Sequence, residues 1–411
     1  MRLEKCYVAD FETTTDEEDC RVWAYALCNI EDTNKFIYGN NLDDFFKFCA
    51  DSKHNYKIWF HNLRFDGIFL LDYIMKNGFT LILDKKEKRS KTFTTLISDM
   101  GQFYSITVYF DVNGHHTNKV EFFDSLKIFP NFSVEKMAEA FDLPISKLKI
   151  DYKEYRAIGH ELSTEEVNYI RNDVEIVARA LKEMFKRGLT KMTIASDAMN
   201  YFKDTFVGFR RKFPLLAENV DADIRKSYRG GFTYVNPVWQ GREAGKGVTL
   251  DVNSLYPFSM HSPNFLPYGE PQQFEGEYVY DKNYPLYVQN FLCSFEVKQG
   301  KIPSIQLKNN MHFINNEYIA STDGKIVELT LTTPDYELFK EQYNMDKVTF
   351  VGGWKFKAAT GLFDNYINYW TAQKIKAHKE GNKPLRAISK LLQNSLYGRF
   401  GISSIADSKV P

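Results

Sequence analysis

Hydrophobic and polar positions in the first 190 residues switch repeatedly between a two-residue and a helical rhythm. The spacing predicts strands over 3–12, 21–30 and 35–38, a short helix opening at Asn41, and a strand at Ile58-Trp59-Phe60. Phe65, Ile68, Phe69, Tyr73 and Ile74 recur at helical spacing, so a helix is expected over 63–76, with Gly78 ending it. Strand-like runs follow near 93–97, 103–110 and 120–123, and KKEKRSK at 85–91 reads as a loop. Ser163-Thr-Glu-Glu166 is a capping box that opens a long helix through Lys186, stopped by Gly188. Strands mixed with helices predict one α/β domain over residues 1–190.

Past residue 190 the rhythm loosens. Residues 207–247, richer in Arg, Gly and Pro, read as a connector, and a strand is expected at 247–252. A loop-rich and strand-rich stretch over 262–360 holds six of the 13 prolines. Two helices are expected at 361–377 and 384–397, with Pro384 suited to a first helical turn. There is no internal repeat.

Composition bounds this picture. A chain of 411 residues is too long for one ordinary core, so two or three domains are expected. With 44% hydrophobic and 26% charged residues, disorder and collagen-like structure are excluded. Lys and Arg total 53 and so do Asp and Glu, and this average argues against a chain built mainly to hold nucleic acid. Local counting reverses that: residues 352–399 carry nine Lys or Arg against two acids. Five cysteines with no C-x-x-C point away from a disulfide framework and toward a reducing compartment. No signal peptide and no apolar run of membrane-spanning length is visible, so a cytoplasmic protein without a membrane partner is expected.

The candidate chemistry starts with acids. Asp10 and Glu12 lie two apart at the end of a predicted strand and so share a face. Asp66, in HNLRFDG, stands near a helix start, and Tyr169 and Asp173 share a face of the long helix. Each has a bland reading as a surface acid. Four carboxylates on separate elements converge only if their repulsion is neutralised, which divalent cations do. Two such ions about 4 Å apart suit phosphodiester cleavage. Phe65 and Phe69, one turn apart, read equally well as core or as stacking platforms for bases.

DFET, HNLRFDG and Y-x-x-x-D, in this order, resemble the three exonuclease motifs of family B DNA polymerases. The resemblance implies metal ligands at Asp10, Glu12, Asp66 and Asp173, with Tyr169 assisting. It also implies a single-stranded 3′ end held by Thr13, His61, Asn62, Phe65, Phe69, Ser125 and Leu126. Lys147, in SKLKIDY, resembles a lysine supporting exonuclease catalysis in the protein-primed branch, with Lys149 nearby. DVNSLYP resembles the D-x-x-S-L-Y-P motif of the polymerase palm. This implies metal binding by Asp251 and the Val252 carbonyl, and nucleotide binding by Ser254, Leu255 and Tyr256. KLLQNSLYG resembles the fingers motif, implying nucleotide contacts from Lys390, Asn394 and Tyr397, with Lys374 and Arg386 upstream. Tyr228, Gly230 and Gly231 resemble the Y-x-G-G linker that touches DNA.

The match is nearest to the protein-primed subgroup, the phage phi-twenty-nine type, in VWAYALCNIED, MGQFYSI, YRGGFTYVN, LPYGEP and KFKAATGLF. It implies a ribonuclease H-like 3′–5′ exonuclease domain (1–190), a connector with part of the palm (191–262), a subgroup-specific insertion (263–361), fingers helices (362–401) and the start of a second insertion (402–411). It further implies Mg²⁺ or Mn²⁺, dNTP substrates, DNA and a terminal-protein primer as partners, a monomer, and the cytoplasm of an infected bacterium. The family pattern continues with a second palm motif, Y-x-D-T-D, which this sequence does not contain. An N-terminal portion of a polymerase, truncated after the fingers motif, is therefore expected. A split polymerase, a stand-alone exonuclease and a catalytically idle binding remnant are the alternatives.

Overall fold

The computed structural model describes residues 5–16, 18–51, 53–114, 116–307 and 317–402. The chain divides into two compact units, Met1–Phe202 with Asn368–Pro411, and Lys203–Ile367. It is a mixed α/β protein.

Among the described residues the first unit is built on eight strands, β1 (Cys6–Thr13), β2 (Val22–Asn29), β3 (Phe36–Gly39), β4 (Tyr56–Phe60), β5 (Thr80–Leu81), β6 (Thr92–Ile97), β7 (Phe103–Asn113) and β8 (His116–Asp124). Their order is β3-β2-β1-β4-β8-β7-β6-β5. β4 runs parallel to both β1 and β8, whereas β2 and β7 pair antiparallel to their neighbours. β2, VWAYALCN, is buried at every position, which explains an apolar run without alternation. Helices α1 (Leu42–Cys49) and α2 (Leu63–Lys76) bury Phe45, Phe46, Leu70 and Ile74 against Tyr7, Ala9 and Phe11, one face of β1. The alternate residues of β1 point the other way. That side is covered by α4 (Thr164–Lys186), which packs on β1 and β2 and on the short α3 (Val134–Ala140). Both halves of the expected capping box are present at Ser163 and Glu166. α5 (Ile194–Thr205) follows.

The second unit opens with α6 (Phe209–Lys212), α7 (Glu218–Arg225) and, after an irregular stretch, α8 (Leu255–Met260). The strand expected at 247–252 does not form. Val248 and Leu250 are 86% and 88% exposed, and no described strand pairs with them, so the alternating pattern lacks the ladder that would make it a strand. The Pro-rich region forms an antiparallel sheet of β9 (Leu266–Glu275), β10 (Leu286–Val297), β11 (Val327–Thr332) and β12 (Tyr343–Ala359), ordered β11-β10-β12-β9. α9 (Thr333–Gln342) covers it, burying Tyr336 and Phe339 against Phe291 and Phe295. Glycine is required at Gly353 in β12, because a Cβ there would stand 1.9 Å from the Val288 carbonyl oxygen.

α10 (Asp364–Lys379) and α11 (Lys383–Phe400) match the two helices expected at the end of the chain. In the first unit, the rings of Tyr369 and Trp370 lie against Tyr201, and Phe400 lies against Phe202. No helix among the described residues is long and apolar enough to cross a membrane.

Candidate active site

β1 carries Asp10 and Glu12 on the face turned away from α1 and α2, the face that α4 covers. Tyr169 and Asp173, one turn apart on α4, are both buried there. At the end of β4 the chain turns sharply through Asn62, whose φ of 84° is left-handed, and α2 begins at Leu63. That turn places Asp66 in the first turn of α2, where its Oδ1 accepts a hydrogen bond of 3.1 Å from the Phe11 amide. Asp10, Glu12, Asp66 and Asp173 thus line one cavity of about 300 Å³, together with Thr13, His61, Asn62, Phe65, Lys147, Tyr152 and Tyr169. One carboxylate oxygen each from Asp10, Glu12 and Asp173 lies within 4.8 Å of the others.

Burial and mutual repulsion raise the acids' proton affinity. Asp10 is pushed up to about 7 by burial and then by the Asp173 charge. Glu12 goes to about 9 for the same reason, with Asp10 and Asp173 both contributing. Asp66 is held well above the usual range by burial and Asp10. Asp173 is also raised by burial, against the pull of Lys147, whose Nζ donates to its Oδ2 at 2.5 Å. Burial works against the Lys147 ammonium, but the bond to Asp173 outweighs it and keeps the lysine charged. Asp173 Oδ1 is buried and meets no hydrogen-bond geometry among the described residues, although Tyr169 lies close enough to favour the charged carboxylate. Hard oxygen donors crowded into one cavity fit divalent cations.

The walls are held from behind. The buried Asp124 carboxylate accepts from the amides of Asn62 (3.1 Å) and Leu126 (3.0 Å), fixing the turn into α2. His61 Nε2 donates to the Phe132 carbonyl at 2.9 Å and its Nδ1 accepts from the Ser125 hydroxyl at 2.9 Å, a pattern that fits a neutral ring. Burial lowers the His61 pKa accordingly. Of the residues expected to hold a strand, Thr13, His61, Asn62 and Phe65 reach the cavity, while Ser125 and Leu126 stand behind it. Phe65 is 48% exposed and Phe69 packs on the core, with the two rings 5.8 Å apart. Sequence reasoning missed Tyr152, whose hydroxyl hydrogen bonds that of Tyr169. It lies in an irregular segment with no periodicity to mark it.

The family model "DNA polymerase type B, organellar and viral" matches residues 50–161 and 149–411. The DNA polymerase of Bacillus phage phi29 is 44% identical over 409 residues, spanning 99% of this chain and 69% of that polymerase. The chain belongs to the family B DNA polymerases, of the phi29 type. The polymerase of Streptococcus phage Cp-1 is 32% identical over 98% of this chain and 71% of its own length. A crystal form of phi29 DNA polymerase superposes with a TM-score of 0.90 at 42% identity, covering 97% of this chain and 68% of that one. The same polymerase complexed with single-stranded DNA gives 0.88 over 96% and 67%, and with primer-template DNA and incoming nucleotides 0.86 over 96% and 68%. Use of divalent metal and dNTPs follows from membership of this family.

The residues that resemble this family's polymerase motifs are arranged more openly. Asp251 is exposed, Val252 is 61% exposed, and Asp251 joins no group of three acids among the described residues. Ser254, with φ of 54°, caps the one-and-a-half-turn α8, and Leu255 and Tyr256 beyond it are half-exposed. Tyr228 is exposed, and a Cβ on Gly230 or Gly231 would meet nothing within 4 Å. On α11, Arg386, Lys390, Asn394 and Tyr397 are all exposed on one face. Lys374 of α10 stands beside them, its pKa lowered by burial and then by the charges of Lys390 and Arg386. Gln393 holds the Lys374 ammonium at 3.1 Å and donates to Thr371 at 2.7 Å, a support not foreseen from sequence.

Proposed function

We propose that the first unit is a metal-dependent 3′–5′ exonuclease attached to a protein-primed polymerase. The observation that supports this best is the convergence of Asp10, Glu12, Asp66 and Asp173 in one cavity with a lysine and two tyrosines. These four acids would hold divalent ions, Mg²⁺ or Mn²⁺, which when bound neutralise the cluster and supply an activated water. Tyr169, its pKa raised by burial and by Glu12, stays protonated and offers a hydroxyl donor to the cavity. Lys147 offers an ammonium beside Asp173 to meet charge developing on the scissile phosphate. Exposed Phe65 stacks on a terminal base, and Thr13, His61 and Asn62 border the strand.

For synthesis, Asp251 and the Val252 carbonyl would take the palm metals only together with a further acid, which no group among the described residues supplies. Ser254, Leu255 and Tyr256 meet the incoming nucleotide, and Lys374, Arg386, Lys390, Asn394 and Tyr397 meet its triphosphate and base. Tyr228, Gly230 and Gly231 contact the DNA backbone, and the open space around the two glycines suits such an approach. Residues 1–190, 191–262, 263–361 and 362–401 serve as exonuclease, connector with palm, insertion and fingers, and a terminal protein primes synthesis. That Asp251 belongs to no group of three acids among the described residues favours a chain that degrades DNA but does not by itself extend a primer. Incubation of the folded chain with 5′-labelled single-stranded DNA and Mn²⁺ tests the reading. Stepwise shortening from the 3′ end supports it, and intact DNA overturns it.

A further inference from the structure

Lys147 and Tyr152 both come from residues 144–162, a segment with neither helix nor strand. Side chains on irregular backbone hold catalytic geometry only if something locks them. The lock visible here is Arg156, whose guanidinium is almost wholly enclosed. Its Nη1 donates to the carbonyls of Asp151 (3.0 Å) and Glu154 (2.9 Å), which flank Tyr152 on either side. Its Nε donates to Glu166 Oε1 at 2.7 Å, and its guanidinium carbon lies over Trp23 of β2, 4.4 Å from the ring centroid. The other Glu166 oxygen accepts from His160 Nε2 (2.8 Å) and the Ser163 amide (2.9 Å). Arg21 closes the back by donating to the Arg156 carbonyl. Glu166 lies one turn ahead of Tyr169 on α4, so the clasp references the loop to the helix that carries Tyr169 and Asp173.

We propose that Arg156 is a positioning residue for the exonuclease, setting Tyr152 against Tyr169 and Lys147 against Asp173; the inference rests on the exonuclease reading above. The fork of the guanidinium suits this role. One lysine ammonium keeps the charge but lacks the planar fork that reaches two carbonyls and a carboxylate from a position over an indole. The aromatic face and the buried carboxylate are otherwise unexplained by the cavity, which neither of them lines.

Arg156→Lys in the full chain tests this in the single-strand degradation assay with Mn²⁺. We expect kcat to fall by about 10- to 100-fold, since displacement of a catalytic group by about 1 Å costs on that order. KM should stay within about threefold, because Phe65 and the strand-holding residues are untouched. In a Lys147→Ala, Tyr152→Phe background the same substitution should cost less than about twofold more, because it acts through those two side chains. Wild-type kcat in Arg156→Lys, or an undiminished further loss in that background, overturns the proposal. Glu166→Gln keeps an acceptor for Arg156 and serves if the lysine variant does not fold; a kcat loss that again vanishes in that background supports the clasp, and one that persists overturns it. Amide hydrogen exchange across 147–155 gives a reading independent of cleavage. Faster exchange in Arg156→Lys supports the clasp and unchanged exchange overturns it. If the wild-type chain does not cut DNA, the exonuclease reading fails, and exchange still decides whether Arg156 positions the loop.

Discussion

Asp10 and Asp251 each close a short apolar run, KCYVAD and GVTLD, yet they end in different surroundings. Asp10 sits on a strand paired on both sides, to β2 and β4, under α4, and shares a cavity with three other acids. Asp251 sits on irregular, exposed backbone with no described strand beside it. The difference shows how a fold gathers acidic side chains into one cavity. A ladder on each side fixes the face, a helix packed on that face brings the further acid, and burial raises the acids' proton affinity. A motif with the right residue types but no paired strand supplies only the first acid.

Replacing acids in the buried set should give the largest effects. Asp66→Ala or Asp10→Ala should lower 3′-end degradation by on the order of a thousandfold or more, read from single-turnover gels. Retained activity would dissolve the contrast between the two regions. Lys147→Ala comes next, with an expected loss of about 100-fold in kcat, as for removal of one charged or oxyanion-type donor. Phe65→Ala should weaken single-stranded DNA binding by about tenfold with little change in Tm, because the ring is exposed. Phe69→Ala should do the reverse, lowering Tm while sparing binding, because its ring packs on the core.

A subtler test uses pH. Asp10 and Glu12 have folded pKa values of about 7 and about 9, above their ordinary 3.8 and 4.5, so the fold binds protons that the unfolded chain releases. Their contribution to stability is therefore full below pH 4 and is lost as pH rises through 7 and then 9. In EDTA, Tm should fall by several degrees between pH 5 and pH 9, and Mn²⁺ should restore it, by calorimetry. Asp10→Asn should flatten that dependence. The smallest effect belongs to Asp251→Asn, expected to move Tm by less than about 1 °C, as exposed substitutions do.

Much of the acidic cavity is legible in the amino-acid sequence. The two-residue spacing puts Asp10 and Glu12 on one face, the helix start places Asp66, and the four-residue spacing joins Tyr169 to Asp173. What stays hidden there has no periodicity. Tyr152 and Arg156 lie in irregular backbone, and Asp124 and Gln393 act through hydrogen bonds that no pattern announces. The strand expected at 247–252 misleads for the complementary reason. Alternation records a half-buried strand only when a neighbour supplies the ladder, and here none is described.

Mn²⁺ titration of the folded chain at pH 7.5, followed calorimetrically, tests the central claim most directly. On the proposed reading the buried acids of the first unit form a cation site as they stand, whereas Asp251 needs a further acid beside it. The expected result is saturable binding that Asp10→Ala and Asp173→Ala abolish and Asp251→Ala leaves unchanged. Binding that survives in the first two variants, or that Asp251→Ala alone removes, would contradict it.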